Sequence, residues 1–317
     1  MAVLITGAAG FIGSHTAEHL LSTGHEVIGI DNFDPFYSKD IKINNLSYLE
    51  AYPGFKFVEV DICDKPALSD VFIANNVDSV IHLAAKAGVR PSIENIEDYY
   101  NVNINGTVNI LECMKARGIK NLVFASSSSV YGNNKKVPFS EADSVDNPIS
   151  PYASTKKSGE LLCHVYSHLY NFNITCLRFF TVFGPRQRPD LAIHKFTKLI
   201  DQGKGIPFFG DGSTARDYTF VSDIVQGVVL ALKKLNGFNI YNLGESKTIT
   251  LTQLVDLMGK LLGKEVILNK FPKQDGDVEL TYADISKAKA ELGYQPKVNM
   301  EEGLTSFIEW FYKNTVQ

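Results

Sequence analysis

Tyr152-Ala-Ser-Thr-Lys156 places a phenol and an ammonium one helical turn apart. At i and i+4 the two side chains share a face, so the ammonium can reach the neighbourhood of the phenol. A free tyrosine titrates near pH ~10, and a nearby cation lowers that toward working pH, making a usable general base. Tyr52/Lys56 and Tyr131/Lys135 repeat the spacing. Pro53-Gly54 breaks any helix in the first and Gly132-Asn133-Asn134 in the second. Tyr152 instead follows a Pro-Ile-Ser-Pro turn and opens an amphipathic stretch. Four serines, Ser126 to Ser129, end the apolar run Leu122-Val123-Phe124-Ala125. A hydroxyl there could hydrogen-bond the substrate oxygen that Tyr152 deprotonates; its rival reading is a solvated polar turn.

These groups need a frame, and the chain supplies one from its start. Residues 4–13 read Leu-Ile-Thr-Gly-Ala-Ala-Gly-Phe-Ile-Gly, a glycine-rich turn after an apolar strand. Gly7 allows the tight turn, Gly10 admits a pyrophosphate to the main chain, and Gly13 lets the next helix pack closely. The helix then directs its N-terminal N–H groups at the anion. Asp31 ends the next strand, at the spacing of a carboxylate that holds a ribose 2′-hydroxyl; it would repel a 2′-phosphate, favouring NAD over NADP.

Apolar runs at 2–5, 26–30, 56–60, 79–83, 121–125 and 174–178 read as buried parallel strands. Helical stretches at 12–23 and 104–117 each end near a glycine, Gly24 and Gly118. The sum is an α/β fold, a Rossmann-type doubly wound parallel sheet with ligands above the carboxyl ends of its strands. Residues 1–178 are expected to form the NAD-binding domain, with about 215–242 returning to it. Residues 179–317, loop-rich, form a smaller α/β substrate lobe.

The 317 residues can bury a large core, and 44% hydrophobic with a net charge of −4 describes an ordinary soluble chain. No basic field exists for nucleic acid or an anionic membrane. Four cysteines without Cys-x-x-Cys spacing read as reduced thiols; no leader or long apolar span is evident, so a cytoplasmic protein is expected. His15/His19 and His164/His168 lie at i, i+4 but lack a third ligand, so no metal is expected. Glu94, Glu97 and Asp98 read as an acidic helix start.

The glycine motif, Asp61-Ile62, His82-Leu83-Ala84-Ala85, Asn103-x-x-Gly106-Thr107, Ser127 and Tyr152-x-x-x-Lys156 together resemble the extended short-chain dehydrogenase/reductase family. Over nearly its whole length the chain is similar to nucleotide-sugar 4-epimerases. Residues 177–189 and Arg216-Asp217-Tyr218 look most like the UDP-glucuronate 4-epimerases. The resemblance implies NAD as cofactor, held by Gly7, Gly10, Phe11, Ile12, Gly13, Asp31, Asn32, Asp61, Ile62, Leu83, Ala84, Ala85, Lys86, Asn103, Tyr152 and Lys156. Asp61 and Ile62 would flank the adenine, and Asn103 would orient the region of the catalytic helix. It implies Ser127, Tyr152 and Lys156 as catalytic residues.

For the UDP-sugar the resemblance implies Arg90, Ser127, Ser128, Thr181, Arg188, Arg216, Asp277 and Thr281. Arg216 would hold the diphosphate, Asp277 the uridine ribose, and Arg188 a C5 carboxylate. A homodimer through the helices before the serine strand and after Tyr152 is implied as well. The stripe Tyr166, Leu169, Tyr170 reads as packing or part of that interface.

Two departures bear on the substrate. Gln274 stands where galactose-type enzymes carry a diphosphate-binding arginine, and Thr281 stands where some relatives carry a large aromatic. A threonine leaves room for a bulkier group, so UDP-GlcNAc/UDP-GalNAc or UDP-glucose/UDP-galactose remain alternatives. Dehydratases carry Asp-Glu after the hydroxyl residue, and decarboxylases a glutamate at the second place; Ser128 and Ser129 fill both here. Oxidation and re-reduction at C4 through a transient 4-keto sugar is the chemistry left. A non-catalytic NAD-binding scaffold, the rival of another class, would have lost Ser127, Tyr152 or Lys156.

Overall fold

The computed structural model describes residues 2–272 and 278–315. In chain order it starts with β1 (Ala2–Thr6), α1 (Phe11–Ser22), β2 (Glu26–Asp31), α2 (Lys39–Glu50), β3 (Phe55–Glu59), α3 (Lys65–Ala74) and β4 (Ser79–His82). There follow α4 (Val89–Glu94), α5 (Ile96–Tyr100), a π-helical turn (Asn101–Asn105), α6 (Gly106–Ala116), β5 (Asn121–Ser127), α7 (Pro151–Tyr170) and β6 (Asn173–Phe179). Then come β7 (Thr181–Phe183), α8 (Ala192–Asp201), β8 (Ile206–Phe209), β9 (Ala215–Arg216), β10 (Tyr218–Phe220) and α9 (Val221–Lys233). The described chain finishes with β11 (Phe238–Leu243), β12 (Ile249–Thr250), α10 (Leu251–Leu262), β13 (Leu268–Phe271) and α11 (Met300–Thr315).

Seven strands form one parallel sheet in the order β11-β6-β5-β4-β1-β2-β3. The order reverses between β1 and β4, and the carboxyl ends on either side of that switch point flank a crevice. β1 is buried at every position because helices cover both faces of the sheet. One apolar cluster covers one face and continues into Phe183, Leu254 and Phe307. A second, holding Leu4, Ile110, Leu122 and Ile174, covers the other.

The strands fall where the apolar runs predict, with shifted ends. β5 reaches Ser127, beyond the apolar run, because Ser126 Oγ donates to the buried Glu160 at 2.6 Å and so remains in the ladder. The helix expected over 104–117 begins at Gly106, since residues 101–105 wind as a π-turn. α7 starts where the sequence places it. Ser150 Oγ accepts from Ala153 N at 3.1 Å, and Pro151 takes the first turn, where its missing N–H is harmless.

Candidate active site

A cavity of about 370 Å³ opens at the switch point, lined by the glycine turn, the ends of β2, β3 and β5, residues 83–87, the start of α7, residues 179–182 and Arg188. Gly7 has φ +71°, and a Cβ on Gly13 would lie 2.0 Å from Gly7 O, so the turn admits no side chain there. Gly10 leaves α1 without a side-chain cap, and Gly10, Phe11, Ile12 and Gly13 all line the cavity. A helix end with unspent N–H groups beside such a turn fits a dinucleotide's diphosphate.

Asp31 ties this turn to β2: Oδ2 accepts from Ala9 N at 3.2 Å and Oδ1 from Phe33 N at 2.9 Å. Burial raises its pKa, with Lys42 pulling the other way. Asn32 Nδ2 donates to Asp61 at 2.9 Å, joining the two acids' neighbourhoods across the strand ends. Ile62 packs against Gly106, where a Cβ would meet its side chain at 2.6 Å. Lys86, on the same wall, bridges Asp34 at 2.8 Å and Asp98 at 2.7 Å. Asp98 thus does more than begin a helix.

Two buried polar chains hold this wall. Thr6 Oγ1 accepts from Leu83 N (3.1 Å) and Ala84 N (2.9 Å), so its hydrogen goes to His82 Nδ1 at 2.7 Å. That fixes the proton on His82 Nε2, which donates to Thr107 Oγ1 at 3.0 Å; Thr107 in turn donates to Asn103 O at 2.6 Å. Full burial, then the Lys156 charge, push the His82 pKa down to about 3, so the ring stays neutral. The Asn103 side chain pairs with both main-chain groups of Lys86 (2.8 and 3.0 Å) and donates to Thr155 of α7 at 2.9 Å. It fastens residues 83–87 to the helix that carries Tyr152.

Tyr152, Lys156, Ser127 and Thr181 all line the cavity. The expected Tyr152–Lys156 relation takes a different form. Lys156 Nζ donates to Ala125 O at 2.8 Å and lies 6.0 Å from the Tyr152 ring centroid. Burial pushes its pKa down to about 8. The Tyr152 pKa is raised, burial being the largest cause, against hydrogen bonding with Ser127 and the Arg188 charge. The Arg188 charge favours the phenolate, and Lys156 shares the face of α7 with the ring. Ser127 Oγ also contacts Ser129 Oγ at 3.0 Å, and Ser128 begins a single helical turn.

Arg188 lines the cavity, its guanidinium carbon 5.1 Å from the Phe36 ring centroid. Arg90 lies over Phe209 at 5.5 Å, Arg216 donates to Ala215 O at 3.0 Å, and Thr281 Oγ1 accepts from Asp217 N at 3.2 Å. These three, with Ser128 and Asn103, lie outside the cavity lining. Thr281 is buried against the β9–β10 connection. Asp277 and Gln274 lie outside the described residues. In the Tyr166, Leu169, Tyr170 stripe, Tyr166 and Tyr170 pack on Phe172, whereas Leu169 is 58% exposed. His15 is taken by Pro185 O at 2.9 Å, and among the described residues no cluster suited to a metal ion occurs.

Sequence reasoning missed the Glu160–Arg178 pair behind Ser126. Arg178 donates to both Glu160 oxygens at 2.8 and 2.9 Å and to the Tyr131 hydroxyl at 2.9 Å, all buried. The signal was present: an arginine in an otherwise apolar strand requires an acid opposite it.

The family model described as GDP-mannose 4,6 dehydratase matches residues 4–307. The UDP-glucuronate 4-epimerase of Thermodesulfobacterium geofontis is 45% identical over 312 residues, covering 98% of this chain and 96% of that one. The crystal structure of Bacillus cereus UDP-glucuronic acid 4-epimerase with UDP-glucuronic acid and NAD superposes with a TM-score of 0.93 at 37% identity, over 99% of each chain. Thermotoga maritima UDP-glucose 4-epimerase with UDP-glucose gives 0.92 at 34%, over the whole of both. The chain therefore belongs to the GDP-mannose 4,6-dehydratase family of extended short-chain dehydrogenases/reductases, among relatives that include UDP-sugar 4-epimerases.

Proposed function

We propose that the protein is an NAD-dependent UDP-sugar 4-epimerase that interconverts UDP-glucuronate and UDP-galacturonate. One observation carries the reading: a phenol, a serine hydroxyl and an arginine face the same cavity that the glycine turn closes. NAD, when bound, supplies the hydride acceptor and donor for C4. Tyr152 takes the proton of the 4-hydroxyl as C4 loses hydride, and returns it to the same oxygen once the 4-keto sugar has turned and C4 has regained hydride on its other face, with Ser127 holding that oxygen. Lys156, pinned by Ala125 O, is placed for the nicotinamide ribose. Asp31, Asn32, Asp61 and Ile62 hold the adenosine half, and residues 83–86 lie along the cofactor.

Arg188 receives the C5 carboxylate, and Thr181 lines the same cavity as a further substrate contact. Arg216 is assigned the diphosphate and Asp277 the uridine ribose, with Arg90 and Thr281 contributing to the UDP-sugar and Ser128 following Ser127 on the sugar side. The carboxylates that line the cavity, Asp31, Asp34 and Asp61, all belong to its cofactor end. Water elimination needs an acid and a base beside the sugar, and Ser128 and Ser129 stand there, so epimerisation is favoured over dehydration despite the family's name. A homodimer is supported by Leu161, Val165 and Leu169, exposed at i, i+4 and i+8 on α7. Four unpaired cysteines suit a reducing cytoplasm. Among the described residues no helix is long and apolar enough to cross a membrane.

NMR of UDP-glucuronate, UDP-GlcNAc and UDP-glucose incubated with the protein tests the reading. UDP-galacturonate should form fastest, and Arg188→Ala should remove that preference. Uronate turnover untouched by Arg188→Ala would refute the carboxylate role.

A further inference from the structure

Arg188 reaches the cavity already committed on one side. Its Nε donates to Asp190 Oδ1 at 2.9 Å and its Nη2 to Asp190 Oδ2 at 2.7 Å, a side-on bidentate pair. The Phe36 ring lies 5.1 Å from the guanidinium carbon. The arginine side chain is 16% exposed and that of Asp190 37%. Both oxygens of the acid thus grip one edge of the planar fork. The other edge, Nη1 and the second hydrogen of Nη2, is left to address whatever enters the cavity.

From this geometry we infer that Asp190 is a specificity-determining positioning residue: it aims Arg188 at the acidic group of a uronate. The inference rests on the reading of Arg188 as the carboxylate's partner. Two opposed effects decide its sign. Asp190 cancels part of the charge that attracts an anion, which weakens binding. It also holds a long, rotamer-rich side chain in one orientation, so that less order must be imposed when the ligand arrives. A bidentate contact depends on the plane of the guanidinium, whereas an attraction between charges in a partly solvated cleft is strongly screened. Positioning therefore outweighs charge cancellation, and losing Asp190 weakens uronate binding.

Calorimetry on the NAD-containing protein measures this with UDP-glucuronate, UDP-glucose and UDP. Asp190→Ala should raise the Kd for UDP-glucuronate about tenfold, leaving UDP-glucose and UDP within about twofold. Asp190→Asn, which keeps an acceptor of the same shape, should recover part of the loss. In an Arg188→Ala background Asp190→Ala should add nothing, because its effect passes through the arginine. Unchanged or tighter uronate binding by Asp190→Ala, with Arg188→Ala still harmful, would overturn the inference and leave the carboxylate reading intact. An Arg188→Ala protein that binds UDP-glucuronate as tightly as the parent would instead remove the reading beneath it.

Discussion

The two ends of the cleft are built by different means. At the end proposed for the cofactor the main chain shapes the site: Gly7 and Gly10 close a tight turn at the start of α1, and no side chain fits at Gly13. At the end proposed for the sugar side chains do it, and each is held by a neighbouring group. Arg188 is gripped by Asp190, Ser127 stands beside Ser129, and Lys156 hangs from Ala125 O. A backbone site tolerates almost no substitution, and its glycine turn addresses only the diphosphate that dinucleotides share. A side-chain site can be re-aimed one residue at a time, which is how one fold comes to serve several sugars.

The wall shared by both ends should give the largest effect when broken. Glu160→Gln leaves the buried Arg178 uncompensated and should cost about 3–5 kcal/mol in denaturant unfolding. A loss below about 1 kcal/mol would mean that Tyr131 and the amide oxygen suffice to hold Arg178. Gly13→Ala comes next. Its Cβ would meet a carbonyl oxygen that cannot turn aside, so about 3 kcal/mol and the retained NAD should go together. If purified Gly13→Ala protein carries NAD at full occupancy, the cofactor end is not governed by its backbone.

Lys156 marks the seam, and its effect runs in the opposite direction. A folded pKa of about 8 against the ordinary 10.5 means that folding disfavours the charged lysine. The penalty is fully present below about pH 8 and vanishes as pH rises toward 10.5, because the unfolded chain binds the extra proton only in that range. Lys156→Met should therefore stabilise cofactor-free protein at pH 7 by about 2 kcal/mol, after allowing for the unpaired Ala125 carbonyl, while abolishing turnover. The advantage should shrink between pH 8 and 10.5. A stabilisation constant across that range would contradict the proposed cause. Ser126→Ala is the mildest change, about 1 kcal/mol, with the UDP-glucuronate KM little altered.

The same contrast explains what the sequence made legible. The glycine turn, Asp31 and the strands are local patterns, and spacing alone reveals them. Tyr152 was found because Ser150 and Pro151 mark a helix start that Tyr52 and Tyr131 lack. The direction taken by Lys156 was not legible, since i, i+4 spacing fixes a shared face and not which carbonyl the ammonium meets. Nor was Thr281's burial, which depends on β9 lying beside residue 281 across 66 positions of chain (281 less 215). Asp190 was within reach, two residues from Arg188 and of opposite charge, but only the folded loop shows the pair as bidentate.

The proposed chemistry at C4 depends on the Tyr152 hydroxyl, so the rate at which Tyr152→Phe converts UDP-glucuronate to its C4 epimer, followed by NMR on protein shown to retain NAD, is the most direct measurement. A fall of at least about 100-fold is expected with the fold and cofactor intact. Conversion at the parent rate would contradict the role of the phenol as the proton carrier.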